Sequence, residues 1–350
     1  MAGGVRKISA ASARAHTGRA KRSASFKLPS GIFTKILVVF LVGIAAWAYK
    51  AIQPPPPKIC GSPDGPPVTA PRIKLRDGWY LAYKEHGVPR NAAKYKIVYV
   101  HGFDSCRHDA VVAKTLSLEV VEDLGIYILS FDRPGYGESD PNPRRMVKSM
   151  ALDIEELADQ LGLGSKFYVI GSSMGGQVIW SYLKYIPHRS GTIQLLAPVV
   201  NYWWPGFPAN LSKKAYHEQL PQDQWALPHS TDVLSRHDKE LIPKLSARKE
   251  YVVQVRHQGE YESLHCDIIV GFGNWEFDPM SLENPFPNNE GSVHIWHGDE
   301  DAMVPVMLQH YIAQQLPWVH YHELAGAGHL FQHADGMSNN IIKTLLIREK

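Results

Sequence analysis

Ser173 stands at the centre of Gly171-Ser172-Ser173-Met174-Gly175-Gly176, directly after the apolar run Phe167-Tyr168-Val169-Ile170. This is a G-x-S-x-G layout entered from a strand and left into a helix, and such a turn strains the serine backbone and lifts its hydroxyl clear of the chain. A serine hydroxyl is a weak nucleophile at its free pKa. Covalent chemistry therefore needs a base within hydrogen-bond reach and a further group to orient that base. Candidates for both follow in order: the acidic run His297-Gly298-Asp299-Glu300-Asp301, then His329 in Gly326-Ala327-Gly328-His329-Leu330. The competing reading of Ser173 is an ordinary turn serine.

These residues need elements to hold them. Lys96-Ile97-Val98-Tyr99-Val100 reads as a buried strand running into His101-Gly102-Phe103, and Ile126-Tyr127-Ile128-Leu129-Ser130-Phe131 leads into Asp132-Arg133-Pro134-Gly135-Tyr136-Gly137-Glu138-Ser139. Strands near 96–100, 126–131, 167–172 and 192–199 alternate with helical patterns near 107–123, 145–162 and 174–186. That alternation predicts βαβ units and an α/β, doubly wound, mostly parallel sheet. Arg72-Ile73-Lys74-Leu75 and Trp79-Tyr80-Leu81-Ala82-Tyr83, joined through Asp77-Gly78, read as an antiparallel hairpin at the sheet edge. The sheet resumes at 292–297 and 318–323, and residues 336–347 form a closing helix. On the helix from Met146 to Leu161, the carboxylates Asp153, Glu155, Glu156 and Asp159 are expected on a solvated face.

The motifs and their order resemble the α/β-hydrolase superfamily, in its serine-nucleophile branch, over roughly Pro71 to Lys350. The turn after Phe131 is similar to the D-x-P-G-x-G-x-S turn common there, and Ser, Asp, His is that fold's chain order. The segment around Asn274-Trp275-Glu276-Phe277-Asp278-Pro279 resembles plant membrane-anchored members of unassigned substrate. The resemblance implies that Ser173 attacks, His329 is the base and Asp301 orients it through a G-x-x-D pattern counted from Gly298, with Asp299 as the alternative acid. It also implies that the backbone N–H groups of Phe103 and Met174 form the oxyanion hole. The expected activity is a serine hydrolase that cleaves a carboxylic ester or thioester of a small-molecule or lipid-like, apolar or amphiphilic substrate. The alternatives are acyl transfer or C–C bond hydrolysis with the same triad, and a ligand receptor or scaffold without catalysis. In this superfamily a cap is inserted where the pattern breaks, here about 202–290, with Trp203, Trp204, Phe207, Trp225 and Trp275 either covering the site or packing the cap on the core.

The sequence departs from the lipase pattern at His101-Gly102-Phe103-Asp104, where a second glycine is usual. A bare Asp104 carboxylate would oppose an oxyanion, so it is expected either to pair with a cation such as Arg107 or to point away. No cofactor or metal is expected: His329 and His333 are four apart, but Leu330 stands where H-E-x-x-H needs glutamate.

Of the 37 Lys and Arg, ten fall in residues 1–58, where no Asp or Glu occurs. The basic balance belongs to this tail, so the rest of the chain is net acidic and no nucleic-acid partner is expected. Residues 1–31 read as a basic tail, Ile32–Tyr49 as a single transmembrane helix, 50–70 as a Pro-rich spacer and 71–350 as the hydrolase domain. Basic residues preceding the helix favour a cytosolic amino terminus in an endomembrane or plasma membrane. A cleaved signal peptide or an organelle transit peptide is the alternative. Three cysteines do not form a disulfide framework.

Overall fold

A computed structural model describes residues 31–218, 234–245 and 251–346. The chain divides into two compact units, Met1–Pro54 and Pro55–Lys350. In the first, helix α1 (Ile32–Ile52) has 21 residues and no buried side chain. At 1.5 Å per residue it is about 30 Å long, which with its composition meets the length of a bilayer's hydrocarbon core. It runs three residues beyond the expected Tyr49 and stops at Gln53, where the run Pro54-Pro55-Pro56-Pro57 cannot continue a helix.

The second unit is built on an eight-stranded sheet. Its strands are β1 (Arg72–Lys74), β2 (Tyr80–Gly87), β3 (Tyr95–Val100), β4 (Ile126–Phe131), β5 (Phe167–Ser172), β6 (Ser190–Leu196), β7 (Val293–Gly298) and β8 (Val319–Leu324). They lie in the order β1-β2-β4-β3-β5-β6-β7-β8. The expected hairpin β1–β2 is antiparallel at the edge and pairs antiparallel with β4; the remaining pairings are parallel. Both faces are covered, which is why the strands read as continuous apolar runs. Val98, Val100, Leu129 and Val169 point to one core, and Ile97, Tyr99, Ile128 and Ile170 to the other.

Helices α2 (Val111–Thr115) and α3 (Leu118–Leu124) replace the single helix expected over 107–123. The chain extends at Leu116, and Ser117 caps a fresh start by accepting from the Val120 N–H. Helices α4 (Val147–Gln160) and α5 (Gly175–Tyr185) pack on the first core through Met150, Ile154, Leu157, Val178 and Ile179. Asp153 corrects an expectation: it is buried, not on the wet face with Glu155 and Glu156. Between β6 and β7 lie α6 (Ala209–Glu218), α7 (Arg236–Leu241), α8 (Val252–Val255) and α9 (Cys266–Phe272), the last entered through a π-helical turn at Tyr261–His265. Trp225 falls outside the described residues. Trp204 and Phe207 join the first core, whereas Trp203 is exposed. Helices α10 (Val306–Gln315) and α11 (Met337–Leu346) complete the sheet's two faces.

The strand order reverses at β3, which has β4 on one side and β5 on the other. In open α/β sheets the crevice beyond the carboxyl ends of the strands at such a point is where ligands bind. The loops holding Gly102 and Ser173 both open there.

Candidate active site

Ser173 follows β5 with φ of 51°, in the left-handed region that only residues under local constraint occupy. The cost, on the order of 1–3 kcal/mol, is offset by backbone bonds on every side. The Ser173 N–H donates to the Leu196 carbonyl at 2.8 Å, and its carbonyl accepts from Gly176 at 2.9 Å and Val199 at 3.0 Å. The following glycine is required by space: a Cβ on Gly175 would lie 2.3 Å from the Val100 carbonyl oxygen of β3. The elbow is thus clamped between β3 and β6.

The hydroxyl of Ser173 lies 3.0 Å from His329 Nε2, and His329 Nδ1 lies 2.8 Å from Asp301 Oδ2. Facing a carboxylate, Nδ1 carries the proton, which leaves the Nε2 lone pair toward the serine. Asp301 follows β7, and its other oxygen accepts the N–H groups of Met303 and Val304, each at 2.9 Å. Asp299 instead accepts from the exposed Gly326 N–H, so Asp301 is the carboxylate that meets the imidazole. Burial disfavours charge on His329, but the charge and hydrogen bond of Asp301, joined by the charge of Asp238, outweigh it and raise its pKa. Burial likewise works against the Asp301 carboxylate, and His329 outweighs it, so its pKa falls. His297, fully buried at 3.4 Å from Asp301, is held neutral mainly by desolvation.

Gly102 approaches Ser173 so closely that a Cβ there would sit 3.0 Å from Ser173 Cβ. The backbone N–H groups of Phe103 and Met174 have no hydrogen-bond partner among the described residues. One lies in the loop after β3, whose Gly102 touches Ser173, and the other at the start of α5, directly after Ser173. The Phe103 side chain packs against a small cluster of Cys106, Tyr136, Val255 and Leu264, which gives this side of the site an apolar wall.

Asp104 pairs with Arg256 rather than with Arg107: its two oxygens accept from Nε at 2.7 Å and Nη2 at 2.6 Å. Arg107 is committed elsewhere, to the buried carboxylates Asp132 and Glu138 of the turn after β4. Three further buried residues, Asp238, Arg133 and Asp267, support the site, and the sequence alone assigns none of them a role. Asp238 of α7 accepts from the N–H groups of His329 at 3.0 Å and Leu330 at 2.7 Å. Arg133 meets Asp267 of α9 through both terminal guanidinium nitrogens, at 2.5 and 2.7 Å. These partners are separated by 91 to 134 positions in the chain, and neither partner lies in a periodic pattern or motif that names the other. Arg133 stands in a recognisable turn, but nothing local marks Asp267.

A cavity of about 530 Å³ lies at the start of the inserted segment, lined by Tyr202, Trp203, Trp204, Phe207 and Tyr216 among others. Ser173 does not line it. Its Tyr202 packs against Phe272, next to Gly271, where a Cβ would meet the Met174 side chain at 3.0 Å.

A mostly parallel sheet with a strained serine after its fifth strand, an acid after the seventh and a histidine after the eighth defines an α/β-hydrolase fold. A sequence model of the alpha/beta hydrolase family matches residues 97–337, more than half the chain, and the chain belongs to that family. Solved structures share the fold. An esterase from Exiguobacterium antarcticum is 17% identical, with a TM-score of 0.57 over 79% of this chain and 99% of its own. A bromoperoxidase from Bacillus anthracis is 18% identical, with a TM-score of 0.57 over 78% of this chain and 98% of its own. An enol-lactonase from Burkholderia xenovorans matches to the same identity, TM-score and coverage.

Proposed function

We propose that this chain is a serine hydrolase that cleaves a carboxylic ester or thioester of an apolar or amphiphilic substrate through an acyl-enzyme. The observation that carries the reading is the hydrogen-bond chain from Ser173 through His329 to Asp301 at a strained elbow. His329 takes the serine proton as Ser173 attacks the carbonyl, then returns it to the leaving alcohol or thiol. Asp301 fixes the tautomer and stabilises the imidazolium. The N–H groups of Phe103 and Met174 receive the oxyanion, a contribution of about 3 kcal/mol per donor. Water then attacks the acyl-serine by the same route in reverse. That an esterase and an enol-lactonase share the fold supports acyl chemistry.

The segment about 202–290 acts as a cap: α9 packs over Met174, and α7 and α9 each hold a loop of the site. Its aromatic residues and the wall beside Phe103 suit an apolar acyl or alkyl group. Helix α1 is read as a single membrane span that tethers the enzyme near amphiphilic substrates, with the basic tail on the cytosolic side.

Labelling of the full-length chain by a fluorophosphonate, read by intact mass, tests the chemistry. One adduct per chain is expected, lost in Ser173→Ala and strongly slowed in His329→Ala. A folded chain that does not label, or a Ser173→Ala variant that labels equally, overturns the assignment.

A further inference from the structure

The buried ion pair beneath the site has a geometry that packing alone does not require. Arg133 is 1% exposed, and besides gripping Asp267 its Nη2 donates to the carbonyl of Gly102 at 2.8 Å. The same carbonyl lies 2.8 Å from His101 Nδ1. His101 Nε2 lies 3.0 Å from the backbone N–H of Arg133 and so must accept, which leaves the ring proton on Nδ1, where it donates to Gly102. Two buried donors, one of them a cation, therefore converge on one carbonyl oxygen.

That carbonyl belongs to the peptide whose N–H is that of Phe103. The peptide is trans, so its C=O and N–H point in opposite directions, and fixing the first aims the second. A carbonyl polarised by a cation also leaves its own N–H more positive, since hydrogen bonds in a chain strengthen one another at low dielectric. We infer that Arg133 is a positioning residue of the oxyanion hole, orienting and polarising the Gly102–Phe103 peptide, and that Asp267 of α9 keeps it in place so that the cap segment takes part in catalysis. This rests on the assignment of the Phe103 N–H as an oxyanion donor. Tyr136, whose hydroxyl donates to Asp267 at 2.9 Å, and Arg145, 3.8 Å from the same carboxylate, complete its surroundings. Asp267 thus has its charge balanced without leaving the interior.

The role predicts an effect confined to steps in which negative charge develops. Arg133→Met in the full-length chain is expected to lower kcat for p-nitrophenyl butyrate roughly 10- to 100-fold with KM within about two-fold, less than deleting a donor outright because His101 still holds the carbonyl. Inhibition by an alkyl trifluoromethyl ketone, which forms a tetrahedral adduct on an activated serine, should weaken by the same factor. Because Arg133→Met strands the Asp267 carboxylate, the double variant Arg133→Met/Asp267→Leu removes both charges and keeps the test available if the single variant does not fold.

A folded variant of either kind with unchanged kcat, or with a raised KM alone, overturns the inference. So does a loss of kcat not matched by weaker ketone binding. Fluorophosphonate labelling separates the two levels of argument. If the wild-type chain labels at Ser173 and the Arg133 variants label just as fast, only the role of Arg133 falls. If the wild-type chain does not label, the serine assignment falls and this inference with it.

Discussion

The two sides of Ser173 are built by different means. On the base side, Asp301 and His329 come from loops that follow neighbouring parallel strands, so strand register delivers both loops to one place and their side chains meet at 2.8 Å. On the oxyanion side, the Gly102–Phe103 loop is held by Arg133, which is itself held by Asp267 from the segment between β6 and β7. The first side is a product of sheet topology. The second depends on long-range pairs of buried charge, whose mutual attraction is largely offset by the cost of desolvating them. Under the proposed assignment the inserted segment is part of the machinery on one side and a support on the other, where Asp238 accepts from the backbone N–H groups of His329 and Leu330.

The sharpest test of the base side is Asp301→Asn. Without the carboxylate the imidazole is free to adopt the wrong tautomer, and kcat is expected to fall roughly 10³- to 10⁴-fold. The pH profile gives a second readout. His329 must be neutral to accept a proton and its pKa is raised, so wild-type kcat/KM should rise with pH through a value above 6.5. Removing the carboxylate that raises it moves this limb to lower pH.

Asp238→Ala tests whether the cap segment merely supports that side. It leaves the buried N–H groups of His329 and Leu330 without a partner, and each unmade bond costs about 1–3 kcal/mol. Thermal melting should show the loss, with kcat down about ten-fold through misplacement of the imidazole. A kcat loss as large as that of Asp301→Asn would erase the distinction between the two sides.

Asp153→Asn bears on the core rather than the site. Burial, aided by the charges of Asp77 and Glu156, raises the Asp153 pKa from 3.8 to about 8. The folded state therefore holds a proton that the unfolded chain releases first, and stability falls as pH rises through that window and levels off above it. The amide should raise Tm by an increment that grows from pH 4 to about 8, with activity unchanged.

The smallest effect is expected for Arg256→Met on the oxyanion side. It removes the guanidinium that pairs with the Asp104 carboxylate beside the Gly102–Phe103 loop, and kcat should fall a few-fold at low salt and recover as salt is added. The pair is nearly one-third exposed and already partly screened.

Legibility in the sequence follows the same division. Strand runs such as Ile126–Phe131 and the short-range demands of the elbow at Ser173 are local, and the structure places them as their patterns imply. Chain order then brought Ser173, Asp301 and His329 together, because parallel strands deliver their following loops to one edge of the sheet. Asp104 illustrates the limit: Arg107 was the nearest cation in sequence, but the deeper carboxylates Asp132 and Glu138 hold it, and Arg256, 152 positions away, takes its place. Asp153 misled for a related reason, since a carboxylate among charged neighbours on a helix reads as solvated whichever way the helix is rotated. The split of the helix over 107–123 hinged on the single cap residue Ser117.

The most direct measurement of the central claim is acid-quenched trapping of the acyl-enzyme. The full-length chain, turning over p-nitrophenyl butyrate, is stopped within its first turnovers, and the butyryl group is located by peptide mass mapping. A butyryl adduct on the peptide containing Ser173, absent in Ser173→Ala together with turnover, is the predicted result. Turnover that persists in Ser173→Ala, or an adduct on another residue, would contradict it.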